Sequence, residues 1–325
     1  MKALGDFVLF KTDAEKGEGL EMAKEYSVKG YPTFVVADAS GQVIDTWAGY
    51  EKSYLLGHLE PALADLSTIY EKTTRFKAGP NERDGLTVAR YHATRGDYST
   101  ALSYVKAVAK VPGATDVSAT AFEYSADAYL REDQLSAAEV KKAADGALAS
   151  SPDAEAVIGI ARSMKQVANK AEEPSMYVPY IEPALAAVSQ APADDEYAQS
   201  AKRSLEVDHA LFVEKNTDKA VGLKRASYDE GWQDDAGKLN GFAWWCFENK
   251  VNLEEAEAMA RRGVEVAAAG SEKANLLDTA AEICNARGHC DDAVDLIRQA
   301  VEEDPDREYF KKQLKRFEEL RAQSM

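Results

Sequence analysis

The sequence predicts a mostly α-helical chain with a small α/β segment at its N-terminal end. Three observations lead there. About 55 of the 325 residues are alanine and charged residues make up 29%, a mixture rich in strong helix formers. From about residue 80 onward, amphipathic stretches alternate with short breaks carrying Gly, Pro, Asp or Asn, and no strand pattern interrupts them. Residues 1 to about 68 have a different texture, in the order strand, helix, strand, strand, helix.

Within the first segment, Phe7-Val8-Leu9-Phe10 is a short apolar run that reads as a strand buried on both faces. Residues 16–27 read as a helix with Leu20, Met22, Ala23 and Tyr26 at its apolar positions. Phe34-Val35-Val36 and Val43-Ile44 with Thr46-Trp47 flank a turn at Ala39-Ser40-Gly41, the pattern of a β-hairpin. Residues 51–67 place Leu55, Leu56, Leu59, Leu63 and Leu66 at helical spacing and close the segment as a helix.

The rest of the chain divides into helices over 84–95, 98–110, 116–131, 134–150, 153–170, 175–190, 194–214, 217–228, 236–249, 253–268, 273–287, 291–303 and 306–323. Thirteen helices in tandem suggest stacked hairpins. Leu277, Ala280, Ala281 and Cys284 form one stripe, Gly288 makes a turn, Ala293, Ile297 and Ala300 form a second stripe, and Pro305 ends the unit. This unit resembles the tetratricopeptide repeat (TPR), with small residues at close helix contacts and a closing proline. Leu239, Phe242, Ala243 and Cys246, followed by Ala256 and Ala260, repeat it, with Gly263 where Ala300 sits. Leu86, Ala89, Gly96, Ala101, Val105 and Val108 give a third match. Between 116 and 230 the pattern is degenerate. The expected organisation is a segment over 1–70, a degenerate hairpin array over 71–230, and TPR-like repeats with a capping helix over 231–325.

Tyr26-Ser27-Val28-Lys29-Gly30-Tyr31-Pro32-Thr33, followed by an apolar strand, Gly41 and a strand ending at Gly49, resembles the C-terminal half of a thioredoxin fold. The resemblance implies that Pro32 is the cis-proline of that family and that the backbone of Tyr31 pairs with an extended peptide, beside Thr33. It also implies that Phe7–Thr12 is the third strand and 51–67 the last helix. The family's CxxC would lie upstream of that strand, where only Met1 to Asp6 stand, so the expectation is a truncated thioredoxin-like segment. Without its central strand, Phe7–Phe10 would present unpaired backbone edges and invite self-association.

A net charge of −17 (39 Lys and Arg against 56 Asp and Glu) argues against a nucleic-acid partner and against docking on anionic lipid. No apolar run approaches the roughly 18 residues that would span a bilayer. The apolar N-terminal stretch is broken by Gly5 and Asp6 and reads as no secretory signal; the compartment stays open, cytoplasmic for the chain as given, because a missing N-terminal part could have carried an export signal. Three cysteines (Cys246, Cys284, Cys290) form no CxxC and no paired framework.

Cys284, His289 and Cys290 cluster around one turn, but structural zinc takes four ligands and Cys284 holds a repeat packing position, so packing is the expectation. Cys246 and Cys284 hold equivalent positions on neighbouring helices, too far apart for a disulfide. His58, His92, His209 and His289 are scattered and none accompanies a nucleophile motif. Asp13, Glu15, Glu18 and Glu21 do not fit a calcium loop and read as a solvated helix start, as do Asp194-Asp195-Glu196 and Asp234-Asp235. Trp244 and Trp245 differ by about 100° around a helix, so one belongs to the core and the other is free to line a groove. No phosphate-binding loop, dinucleotide fingerprint or hydrolase motif is present. The expected function is a non-catalytic protein-interaction module, without cofactor or metal, whose helical groove takes a protein or peptide partner. The alternative is a thiol–disulfide oxidoreductase whose CxxC-bearing half is missing. Expected peptide contacts are Tyr31, Pro32 and Thr33, by resemblance, and Trp244 and Trp245.

Overall fold

The structure, a computed structural model, describes residues 5, 7–50, 52–150, 152–192 and 194–324, with the side chains of 52–54 and 324 outside that description. The chain forms two compact units, 1–191 and 192–325. This division follows compactness, whereas the boundaries near 70 and 230 follow sequence texture.

The first unit opens with helix α1 (Glu18–Glu25) and the strands β1 (Thr33–Ala37) and β2 (Val43–Ala48), paired antiparallel with Phe34 opposite Trp47 and Val36 opposite Asp45. Helix α2 (Lys52–Ala64) packs on β2; its expected start at 51 lies outside the described residues. Val36, Ile44, Trp47, Leu59 and Ala62 form a small core, with Phe34 stacked on Trp47 at 5.4 Å between ring centroids. The Tyr31–Pro32 peptide bond is cis.

The expected strand over Phe7–Thr12 does not form. Those residues adopt no regular structure, and Val8, Leu9 and Phe10 are 100%, 67% and 69% exposed. An isolated apolar run gains strand structure only from a neighbour that takes its backbone hydrogen bonds. The described sheet has two strands, and β2 is closed from outside by side chains: Lys72 Nζ donates to the Ile44 carbonyl at 3.1 Å and Arg90 Nε to the Thr46 carbonyl at 3.2 Å. Leu66 is also exposed, because the leucine-rich helix ends at Ala64.

Helix α3 (Ile69–Ala78) was not expected from the sequence. A capping box starts it: Thr68 Oγ1 accepts from the Glu71 N–H, and the Glu71 carboxylate accepts from the Thr68 N–H. Its buried stripe is Ile69, Lys72 and Phe76, so a lysine interrupts the apolar spacing. Antiparallel hairpins follow: α4 (Glu82–Thr94) with α5 (Tyr98–Val108), α6 (Ser118–Glu132) with α7 (Ala137–Ala149), and α8 (Ala154–Lys170) with α9 (Val178–Val188). Local chemistry fixes their ends. Asn81, Asp97, Ser136 and Asp153 cap N-termini through their side chains, and Gly96 supplies a left-handed φ of 80° after α4. The Asp45 carboxylate accepts two hydrogen bonds from Arg90 Nη2, at 2.8 and 2.9 Å, which ties the sheet to α4.

In the second unit, α10 (Glu196–Asp208) runs into a wide π turn over His209–Val213 before α11 (Thr217–Ala226). Then come α12 (Ala236–Asn249) with α13 (Leu253–Val266), α14 (Ser271–Ala286) with α15 (Cys290–Glu303), and the terminal α16 (Glu308–Ser324). Asp195 and Asp235 cap the helices whose acidic starts were expected. Every residue of the two repeat stripes, from Leu239 to Cys246 and Leu277 to Ala300, is buried. Gly263 is required by close approach: a methyl group there would lie 2.4 Å from Leu276 Cδ2.

Polar links within and between hairpins recur at a spacing near one repeat. Glu303 accepts from the Gly270 N–H 33 residues away, Arg316 pairs with Glu282 at 34, and Arg287 pairs with Glu257 at 30. In the first unit Glu132 accepts from the Tyr98 N–H, again at 34. Such a period is that of a TPR-like α-hairpin array. Among the described residues no helix is long and apolar enough to cross a membrane.

Candidate protein-binding face

The expected contact residues fall in both units. Tyr31 and Pro32 are exposed, and Thr33 Oγ1 donates to the Gly30 carbonyl at 2.7 Å, closing the turn that presents them. Trp244 and Trp245 belong to the second unit, where the structure separates them. Trp245 is 9% exposed within the core, with Lys224 Nζ 6.0 Å from its ring. Trp244 is half-buried and packs on Phe247 at 5.2 Å. Trp245 is therefore the one of the pair that serves the core, a side chain this enclosed having little area to offer a partner.

Trp244 lies on the side of α12 away from the Leu239, Ala243 and Cys246 stripe. Asn240, Trp244 and Phe247 stand at i, i+4 and i+7, and so share one helical face. On α14, which packs beside α12, Asp278, Glu282 and Asn285 repeat that spacing. A cleft of about 440 Å³ opens at the end of this face, lined by Phe247, Glu248, Lys250, Leu253 and Ala286.

The polar part of the face is set by α16. Tyr309 Oη donates to Asp278 Oδ2 at 3.1 Å, Arg316 donates to Glu282, and Arg307 donates to Asn275 at 2.9 Å. Burial pushes both the Asp278 and Glu282 carboxyls upward, because a low-dielectric setting disfavours their charged forms; Arg316 opposes the shift. Asn240 Oδ1 and Asp278 Oδ1 are buried with no hydrogen-bond donor. Sequence reading missed these carboxylates. Their signal is two acids at i, i+4 on a helix whose other faces are apolar.

The remaining clusters serve packing. Cys284 is buried, and burial pushes its thiol up to about 12, as it does for Cys246. None of the three cysteines forms a disulfide. Glu257, His289 and Asp292 bring ligand atoms within 4.8 Å of one another, but Arg261 sits among them. It donates to Glu257 at 2.8 Å and lies 3.5 Å from Asp292 and 3.4 Å from Cys284 Sγ. A guanidinium there supplies the positive charge that a metal would otherwise bring. His92 pairs with Asp97 at 3.0 Å and His209 with Glu214 at 3.3 Å. His58 stacks on Trp47 at 5.0 Å, and burial, helped by the Arg90 charge, lowers its pKa to about 4. A second cleft, of about 340 Å³, lies between the β-hairpin and α3 and α4, lined by residues that include Val43, Tyr70, Tyr91 and His92.

No protein-family model matches the chain, and no curated protein does. Solved structures do match. A tetratricopeptide repeat protein from Parabacteroides merdae is 14% identical, with a TM-score of 0.47, over 77% of this chain and 90% of that one. The structure of Naa15/Naa10 bound to HypK-THB is 13% identical, with a TM-score of 0.27. It matches over 77% of this chain, which spans under half (47%) of that one.

Proposed function

We propose that this chain is a non-catalytic protein-interaction module, and that the face formed by α12 and α14 receives a segment of a protein partner. The observation that carries this reading is the Trp244–Phe247 pair, left half-buried beside the 440 Å³ cleft on one face of stacked hairpins. Aromatic side chains with one wet face are favoured anchors at interfaces. Repeated hairpins extend such a face over several helices. Asp278 and Glu282 are buried and paired with Tyr309 and Arg316, so they fix α16 against α14 rather than meet the partner.

Photo-crosslinking tests the reading. A benzophenone side chain at position 244 should trap one defined partner, competed away by unlabelled protein. The same group at Asp295, exposed on α15, should not. Equal trapping at both positions would refute the assignment of the face.

The thioredoxin-family alternative rests on the resemblance around Tyr31-Pro32-Thr33 and on the hairpin-then-helix order that follows it. It assigns the CxxC to a part outside this chain, so the chain alone should not reduce insulin on either reading: it holds no CxxC, and burial pushes the Cys246 and Cys284 thiols up to about 12, where they stay protonated at neutral pH. An in-frame CxxC codon pair upstream of Met1 would favour the alternative, and stop codons there the interaction module; turnover that survives replacement of all three cysteines would overturn the absence of redox chemistry in this chain.

A further inference from the structure

We propose that two copies of this chain associate by reciprocal strand exchange: the run Phe7–Thr12 of each copy adds as a strand to the outer edge of β1 in the other. The argument begins with the edge. The Gly49 N–H donates to the Pro32 carbonyl at 2.8 Å, and Phe34 and Val36 stand opposite Trp47 and Asp45. Backbone groups alternate along a strand, so Thr33 and Val35 direct their N–H and C=O groups away from β2. The same alternation turns the Ile44 and Thr46 carbonyls outward on β2, and there Lys72 and Arg90 occupy them. The outer edge of β1 has no such cover: among the described residues, neither Thr33 nor Val35 has a backbone partner on that side. An uncovered strand edge is a template for another strand.

The run supplies what the edge lacks. It has six residues against the five of β1, contains no proline, and is uncharged until Lys11. Phe7 packs, partly buried, against the core formed by β1, β2 and α2, so the run starts beside the sheet. Val8 is fully exposed, and Leu9 and Phe10 are about two-thirds exposed. A two-fold pairing would set Val8 and Phe10 on one face of the extended sheet and Leu9 on the other, three apolar side chains per copy and six in the dimer. Burying a Val, Leu or Phe is worth about 1.5–3 kcal/mol, which at ~25 cal/mol per Å² is roughly 60–120 Å² each, so six of them with the surface they cover bury on the order of 1,000 Å², where specific association begins. A two-fold arrangement uses the same run and edge in each copy and closes without leaving either free. A two-stranded sheet is marginal by itself, and each copy would gain a third strand.

The test is sedimentation velocity on the full chain and two variants. Leu9→Asp places a charge on the run at a position exposed in the single copy. Val35→Pro removes an outward N–H, while the inward groups of Phe34 and Val36 still bond to β2; proline is tolerated on such an edge. The native chain should dimerise with a Kd at or below ~100 µM, and each variant alone should be monomeric with an unchanged circular dichroism spectrum. An equimolar mixture of the two variants should recover a weaker dimer, because one intact run then meets one intact edge. A native chain monomeric above that concentration, a dimer that survives either substitution, or a mixture that stays monomeric would each overturn the proposal. Should Val35→Pro disturb the fold, Leu9→Asp alone still decides, since its site touches no core.

Discussion

Replacing Trp245 and Trp244 one at a time separates the roles of two adjacent, chemically identical side chains. Trp245 is enclosed by the core of the second unit, so Trp245→Ala removes a fully packed indole and leaves a cavity. That change costs about 3–5 kcal/mol. Trp244 is only partly buried. Trp244→Ala loses part of the transfer free energy and the Phe247 ring contact, worth about 0.5–1.5 kcal/mol, for a total near 2 kcal/mol. For a unit of this size one kcal/mol moves the midpoint by ~4 °C, so Trp245→Ala should lower it by roughly 15 °C and Trp244→Ala by roughly 8 °C. Thermal melts followed by far-UV circular dichroism read both. The binding readout should run in the opposite order: crosslinking to the partner from a second probe at Phe247 should vanish with Trp244→Ala. Equal thermal losses, or a larger loss at Trp244, would refute the division of roles.

Three further predictions rest on separate features. Lys72→Met leaves the Ile44, Asp65 and Ser67 carbonyls without their donor, partly offset by relief of a buried ammonium; urea denaturation should show a loss of about 3 kcal/mol in the first unit, and a loss under 1 kcal/mol would contradict the role given to Lys72. Gly263→Val drives side-chain atoms into Leu276 and should cost the second unit about 2–3 kcal/mol, while Val266→Ala at a half-buried position of the same helix should cost less. Burial raises the Asp278 carboxyl above its unfolded value, so the proton stabilises the fold below the ordinary carboxylate range and that stability is lost as pH rises through the raised value. Asp278→Asn should therefore raise the midpoint at pH 7 relative to the native chain, with the gain shrinking as pH is lowered through the carboxylate range; a gain independent of pH would show that ionisation of Asp278 is not its origin.

Much of the helical array was legible because its determinants are local. Ala293, Ile297 and Ala300 repeat at helical spacing, Asp235 and Ser136 cap the helices that follow them, and Gly96 and Gly288 make the left-handed turns. Each of these acts within a few residues of itself, so a single sequence carries it. The same holds for the hairpin of β1 and β2, set by two β-rich runs and the turn between them. Helix α3 escaped notice because Lys72 stands in its buried stripe. A buried lysine is tolerable only where three carbonyls converge on it, and those come from β2 and from the chain after α2.

The candidate face divides in the same way. Periodicity alone established that Trp244 and Trp245 point in different directions; which of them entered the core depended on where α12 met its neighbours. Asp278 and Glu282 read as ordinary surface acids until α16 folds across them and brings Tyr309 and Arg316. Phe7–Phe10 has the composition of a strand, yet whether it becomes one depends on an edge elsewhere to receive it. Helix spacing, caps and turns are properties of neighbouring residues and were settled by the order of amino acids. Burial, the pairing of charges and the completion of a sheet need groups brought from distant parts of the chain, and only the packed structure supplies them.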